Sequence, residues 1–294
     1  MKTVRGEMWL HPDKYNRRLI GGIIARYQEI LGIKIFAYAV LSNHIHLLIQ
    51  APRGNADEFA ENINREISRR INWRYRREGA LWGRRYSEQE VIREEDLLEA
   101  LLYITTNCTH HGLLSDAAEW KGLHSYQHLI SEADRVFLFT HYSHRNEDGV
   151  PIKTTHNLRL SVLPQFVGLS KRKRRIKIRE LLEERLMVLR MQRRGKSYLG
   201  HAIIDEQIVG EVPKKMSRSP RPSCYTKCAK SLREFLEKRR ELMKRYAEAS
   251  ILFRLGNFAV SFPEFTFKPP LHRIPRRKAF TPYLLLPVTS AINS

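Results

Sequence analysis

Two histidines separated by one residue form the first pattern that could carry chemistry. His44-Ile45-His46 opens the apolar segment HIHLLIQ, residues 44–50. On a β-strand, alternate side chains point to the same face, so both imidazoles would project one way while Ile45 points into the core. Two neutral imidazoles side by side supply half of the ligands of a divalent metal ion. Taken alone, the pattern fits two histidines on a half-exposed sheet face better, because chance gives roughly half an H-x-H in such a chain.

Tyr103 and Asn107 form the second pattern. Residues four apart on a helix share one face. The asparagine offers an amide oxygen, which suits Mg²⁺ or Mn²⁺. The tyrosine offers a phenol, which needs activation because its reference pKa is about 10. A metal one helical turn away could polarise a phosphate that the phenol attacks. Taken alone, the pair fits a core tyrosine and a helix-ending asparagine better.

A β-hairpin is predicted to position the histidines. Residues 14–31 carry apolar side chains at helical spacing, and Gly32 ends the pattern. The β-branched and aromatic residues of 33–40 predict a buried strand, and 44–50 predicts a second strand after the short turn 41–43. Two apolar strands with a tight connection favour a hairpin at the centre of an antiparallel sheet.

Helices are predicted to flank this hairpin. A helix over 57–78 has a buried face at every fourth residue, and a helix from Glu94 to about Asn107 begins with acidic residues that suit the positive end of the helix dipole. Helices between antiparallel strands predict an α+β domain over 1–140. The polar stretch 141–170 is interpreted as a linker, and 171–294 as a basic, mainly helical C-terminal extension with helices over 171–194 and 230–255.

The charge of the chain points to a polyanionic partner. It has 52 Lys and Arg against 31 Asp and Glu, a formal net charge of +21, and nucleic acid is the first candidate for so basic a protein. Three cysteines do not make a disulfide framework, which favours a reducing compartment. No apolar signal core opens the sequence and no run approaches about 18 apolar residues, so no membrane association is expected.

Basic side chains are concentrated in two segments, 65–85 and 171–194, which we expect to contact phosphates. Aromatic residues interleave with the arginines of the first segment, as where unpaired bases stack. A solvated charged face over core aromatics is the alternative. The predicted DNA-binding residues are Arg65, Arg69, Arg70, Arg74, Arg76, Arg77, Arg84, Arg85, Lys171, Arg172, Lys173, Arg174 and Arg175.

Four motifs in this order resemble the IS200-like HUH transposases, and most closely their REP-associated tyrosine transposase branch. They are SNHIHLLIQ, LWGRRY, YITTNCTHHGLL and GLHSYQHL. The resemblance covers about residues 20–130 and extends faintly to RLGNFAVSFPEFTFKPP in the tail. Two departures stand out: Cys108 replaces the proline that usually follows the asparagine, and Met1–Trp9 matches the family's first strand poorly.

The resemblance implies an HUH-endonuclease fold with a ferredoxin-like or RRM-like core, together with a mechanism. His44, His46 and Asn107 would hold one divalent cation, Mg²⁺ or Mn²⁺, at the scissile phosphate of single-stranded or hairpin DNA. Tyr103 would attack and keep a 5′-phosphotyrosine until a 3′-hydroxyl reverses the reaction. The expected setting is the cytoplasm of a prokaryote, with the protein acting as a monomer or a homodimer.

Three alternatives stay open at this stage. Tyr86 is a rival nucleophile, because Arg84 and Arg85 precede it and could hold a phosphate. A DNA-binding regulator of the same descent that no longer cuts would explain the poorly matching start. An RNA-binding basic protein would explain the charge and the aromatics, but leaves the four ordered motifs as coincidence.

Overall fold

The fold was analysed in a computed structural model, which describes residues 1–84, 86–213, 223–264 and 266–270. The chain is α+β and divides into two compact units, 1–232 and 233–294. The helices are α1 (Lys14–Leu31), α2 (Ala56–Arg74), α3 (Glu94–Thr105), α4 (Asn107–His110), α5 (Tyr126–Ser131), α6 (Lys171–Gln192), α7 (Gly200–Asp205) and α8 (Ala229–Arg254). The strands are β1 (Lys34–Leu41), β2 (His44–Gln50), β3 (Glu90–Val91), β4 (Arg135–Arg145), β5 (Pro151–Leu158) and β6 (Cys224–Tyr225).

The predicted hairpin is confirmed as the antiparallel pair β1–β2. Helix α1 precedes it: the Asp13 side chain accepts a hydrogen bond from the Asn16 amide at its start, and Gly32 ends it in the left-handed conformation that glycine adopts without strain. Ser42 and Asn43 form the turn between the strands. Each of these local signals was visible in the sequence, so the hairpin and its helix lie where they were predicted.

Two cores lie on the two faces of this hairpin. Ile45 of β2 belongs to the core that includes Ile23 and Ile24 of α1 and Ile63 of α2. Leu48, three residues further along β2, belongs to the other core, which is formed largely by α3 and α6. The hairpin is therefore covered by helices on both faces, and each of its side chains enters a defined environment.

Short segments extend the hairpin at both edges. The Ile45 amide donates a hydrogen bond to the Met1 carbonyl at 2.8 Å, so the first residues pair beside β2. On the β1 side, the Val40 amide donates to the Leu123 carbonyl at 2.8 Å. Residues 1–3, which match the resembled family poorly, thus still occupy the edge next to the histidines.

The prediction of a linker over 141–170 was wrong. The end of β4 and all of β5 lie in this range and pair in an antiparallel hairpin. One face of that hairpin packs against α1, where Phe137 and Leu138 lie against Gly21 and Gly22. Polar residues misled the sequence interpretation because the other face of the hairpin is exposed. The end of the catalytic domain at residue 140 stays a prediction.

Helix α6 lies within the first unit. Its apolar residues Ile178, Leu182 and Leu186 are buried with Leu101 and Leu102 of α3. None of the helices in the described parts of the chain combines the length and the apolar content that a membrane span requires.

We expect Gly22→Ala to destabilise the first unit by about 1–3 kcal/mol, as overpacking does. A Cβ at this position would lie 2.6 Å from the Leu138 carbonyl oxygen, which is backbone and cannot move aside cheaply. Gly168→Ala is the matched control, because its Cβ would meet nothing within 4 Å, and it should change the free energy of unfolding by less than about 1 kcal/mol. Urea unfolding measures both; equal midpoints for the two variants would contradict the packing of α1 on β4.

Stability should fall as the pH decreases from about 6.5 to 5. Burial lowers the pKa of His124 to about 3 and that of His128 to about 4. The unfolded chain therefore takes up protons at these residues below pH about 6.5 while the folded chain does not. Each group contributes up to about 1.4 kcal/mol per pH unit. Urea unfolding across this range should show a shallower slope for His124→Gln, and stability independent of pH would contradict the burial of these rings.

Candidate metal and tyrosine site

The structure brings His44 and His46 together on one face of β2. Their ring centroids are 4.9 Å apart, while Ile45 between them is 2% exposed and lies in the opposite core. The predicted alternation is therefore confirmed. Burial first, and neighbouring positive groups second, lower the pKa of His44 well below 6.5 and that of His46 to about 3. Both rings are thus neutral at physiological pH, which is the form that binds metal ions.

Asn43 fixes the orientation of the His44 ring. Its amide nitrogen donates to the Gly6 carbonyl at 3.0 Å, which leaves its oxygen to accept a 2.6 Å hydrogen bond from His44 Nδ1. The proton of the neutral ring is then on Nδ1, and Nε2 keeps its lone pair. Metal-binding histidines commonly have such a partner on the other ring nitrogen. The sequence analysis gave Asn43 no role, although an amide immediately before the first histidine was the available signal.

Tyr103 lies over the histidine pair from α3. Its ring centroid is 6.0 Å from that of His46 and 5.2 Å from that of His110. Burial raises the pKa of Tyr103, and the nearby Asn107 amide offsets part of that increase. The phenol is therefore protonated at neutral pH and must lose its proton before it can act as a nucleophile.

The helix is interrupted between Tyr103 and Asn107. Strand-facing α3 ends at Thr105, and α4 begins at Asn107. The Thr106 hydroxyl donates to the Leu102 carbonyl at 2.7 Å, a contact of the kind that bends helices. The predicted helix from Glu94 to about Asn107 thus ends two residues earlier, at Thr105, and Asn107 begins the next helix.

The side chain of Asn107 is the strongest local indication that the site binds a further group. It is 0% exposed, and neither its amide oxygen nor its amide nitrogen has a partner within 3.5 Å at hydrogen-bonding geometry, although its side chain is close enough to the Tyr103 phenol to lower the pKa of that group. A buried amide without partners costs about 1–3 kcal/mol, and such groups are often functional. Asn107 interacts with Tyr103, whose ring lies 6.0 Å from that of His46, and an amide oxygen is a ligand that suits Mg²⁺ or Mn²⁺.

His110 and His111 complete the surroundings of the site. The His111 ring is 6.2 Å from that of His44 and 5.1 Å from that of His110. Both side chains are exposed. In the described parts of the chain, no three His, Cys, Asp or Glu side chains are placed to hold a metal ion. A cation held by His44 and His46 would thus depend on Asn107 as its third protein ligand.

The predicted DNA-binding arginines of α2 differ in their surroundings. Arg70 is 5% exposed and pairs with Glu66 at 3.0 Å. Its guanidinium is therefore buried inside the unit, and the prediction that it contacts DNA was wrong. Arg65, Arg69 and Arg74 form ion pairs at the surface. Arg76 and Arg84 are exposed. Arg77 donates to Asn72 and Ala80, and Arg85 lies outside the described residues.

The basic start of α6 is also divided between two environments. Arg174 is held by both oxygens of the Glu132 carboxylate, at 2.6 and 2.9 Å, so its charge is largely neutralised. Lys171 and Arg175 reach backbone carbonyls of α5 and the residue after it. Arg172 and Lys173 are exposed and stay the best candidates here for contact with phosphates.

Comparison with known proteins finds two matches. The family model described as "Transposase IS200 like" matches residues 11–107, a segment that includes both histidines, Tyr103 and Asn107. A Haemophilus influenzae protein named "Putative REP-associated tyrosine transposase" is 31% identical over 96 residues, which cover 29% of this chain and 54% of that protein. The chain thus spans about half the length of this curated relative. No solved structure matches.

Asn107→Leu should separate folding from metal binding. Removing the buried amide is expected to leave the metal-free protein as stable as the wild type or up to about 2 kcal/mol more stable. Mn²⁺ should raise the melting temperature of the wild type, because a ligand that binds the folded state stabilises it, and should have little effect on the variant. Thermal unfolding with and without Mn²⁺ measures both effects. An equal rise in the two proteins would exclude Asn107 as a ligand.

Proposed function

We propose that the protein cleaves and rejoins single-stranded DNA with Tyr103 as the nucleophile, a proposal supported by the match of residues 11–107 to the family model described as "Transposase IS200 like". The observation that carries the proposal is the position of Tyr103 against the His44–His46 pair on one side of β2, with the buried Asn107 side chain next to the phenol. The proposed substrate is single-stranded or hairpin DNA, with the protein acting alone or as a homodimer.

His44, His46 and Asn107 would hold a divalent cation, which would supply positive charge to a phosphate group during its reaction. Asn43 keeps His44 Nε2 unprotonated for this task. Burial keeps His46 neutral. The chain's contribution at this side of the site is therefore a set of three oriented, uncharged ligands.

Tyr103 supplies the bond-forming atom. Its phenol loses a proton to solvent or to the neutral His110 ring, whose centroid is 5.2 Å from that of Tyr103. The phenol oxygen then bonds to phosphorus as the bond to the 3′-oxygen breaks, and the 3′-oxygen leaves and takes up a proton. The product is a 5′-phosphotyrosine. A 3′-hydroxyl reverses these steps, so rejoining needs no nucleotide cofactor.

A covalent-trapping assay tests the nucleophile. The protein is incubated with labelled single-stranded hairpin DNA from the sequence flanking its gene, with Mn²⁺ or with chelator, and run on a denaturing gel. We expect a metal-dependent protein–DNA band that Tyr103→Phe abolishes and Tyr86→Phe retains, because the nucleophile alone forms the covalent bond.

The two variants are matched, because each removes one hydroxyl group from a tyrosine within residues 11–107, the segment that matches the family model. A band that only Tyr86→Phe removes would keep the reaction class and move the nucleophile. Intact hairpin binding without any adduct would contradict the cleavage proposal and favour a DNA-binding regulator of the same descent.

A further inference from the structure

Trp73 departs from the burial pattern of its helix. The apolar residues of α2 that face the core, Phe59, Ile63, Ile67 and Ile71, are at most 1% exposed, whereas Trp73 near the C-terminal end is 69% exposed. A large aromatic side chain left in water forgoes the free energy of burial, so an exposed tryptophan commonly marks a binding surface. The helical spacing of α2 places Trp73 away from that core, so packing within the first unit does not account for it.

A second aromatic ring lies beside it. Tyr142 of β4 is 42% exposed, and its ring centroid is 5.9 Å from that of Trp73 at an interplanar angle of 37°. The Arg70 guanidinium lies 4.9 Å from the Tyr142 ring centroid and donates to the Thr140 carbonyl at 2.8 Å. Arg70 is itself held by Glu66. The Tyr142 ring is therefore held against a buried, ion-paired arginine, and both rings are partly open to solvent.

Positive charge surrounds these rings. A shallow open cavity next to Trp73 is lined by Asn72, Trp73, Arg74, Arg76, Arg77 and Glu78. The Asp13 carboxylate already pairs with Arg74. Within the described chain, neither Arg76 nor Arg77 forms an ion pair, and Arg76 is exposed. Arg77 is held 4.6 Å above the Trp9 ring, so its position is fixed at the rim of the cavity.

We propose that the Trp73–Tyr142 surface, formed by these two residues with Arg76 and Arg77, binds unpaired nucleotides of single-stranded DNA. Bases stack on the exposed rings, and phosphates lie against the two arginines. This inference rests on the proposed function for the identity of the strand. A nucleotide chain is the partner that offers flat, apolar faces and negative charges at short, regular intervals.

The surface is separate from the site around Tyr103. Helix α2 belongs to the core on the Ile45 face of the β1–β2 hairpin, whereas Tyr103 packs with the core on the other face. The nucleotides bound at Trp73 are therefore different from the one that reacts, and contacts there contribute to holding the strand.

Stacking and phosphate contacts can be separated by measuring binding of the full chain to two labelled probes. One is an unstructured oligonucleotide, and the other is an abasic phosphodiester of the same length. Trp73→Ala should weaken binding of the oligonucleotide by at least about fivefold and leave binding of the abasic probe unchanged. Trp73→Phe should retain most of the affinity because it keeps an aromatic face.

Arg76→Ala should weaken binding of both probes by the same factor and reduce the dependence of affinity on salt concentration. Phe267→Ala is the matched control, since Phe267 is 72% exposed and belongs to the second unit, and it should bind both probes like the wild type. Fluorescence anisotropy gives the dissociation constants.

Wild-type affinity of Trp73→Ala for the oligonucleotide would overturn the proposal. An equal loss for both probes together with a lower melting temperature would also overturn it, because it would assign Trp73 to packing. A different result would contradict the proposed function: the wild type would bind the oligonucleotide but form no covalent protein–DNA adduct in the trapping assay. Tyr103→Phe should show the same difference in affinity between the two probes as the wild type, whatever the result of the cleavage assay.

Discussion

The register of the β1–β2 hairpin is the constraint on which the site depends. Ala39 lies opposite His46 and Leu41 lies opposite His44, with Val40 and Ile45 paired between them. Because side chains alternate along a strand, a slip of one residue would turn both imidazoles into the core on the other face. Ile45 opposes such a slip, since it is 2% exposed among α1 and α2. A purely apolar contact thus determines where the two imidazoles point.

The proposed third ligand is buried at a cost in local stability. Helix α3, which carries Tyr103, ends just before Thr106, and Asn107 is 0% exposed with neither amide atom paired at hydrogen-bonding geometry. Helix α6 packs against α3 through Leu182 and Leu186, in the same core as Leu101 and Leu102. A buried polar side chain without partners is often found at a functional site.

The sequence predicted those features that depend on local patterns. The bounds of α1 and β2 were predicted correctly because Gly32, the turn at 41–43 and the apolar periodicity lie within a few residues of the elements they define. The shared face of His44 and His46 followed from the same period. The convergence of Tyr103 and Asn107 on these histidines came from the family resemblance, since no local pattern relates residues about 60 positions apart.

Long-range packing explains what the sequence analysis missed. The end of β4 and all of β5 were taken for a linker because the contact of this hairpin with α1 depends on two glycines that lie more than 100 residues before β4. Arg70 was assigned to DNA because its burial and its hydrogen bond to the Thr140 carbonyl are apparent only in the folded chain. Asn43 received no role because its orientation depends on Gly6. In each case the deciding contact joins segments that the sequence does not relate.

The central claim is that His44, His46 and Asn107 are the protein ligands of one divalent cation. Pulsed electron paramagnetic resonance of the Mn²⁺-loaded protein, with ¹⁵N-labelled histidine, tests it most directly, because it counts the imidazole nitrogens bonded to the metal. The account predicts two coordinated imidazoles in the wild type and one in His44→Ala. Bound Mn²⁺ without imidazole coupling, or three coordinated imidazoles including His111, would contradict it.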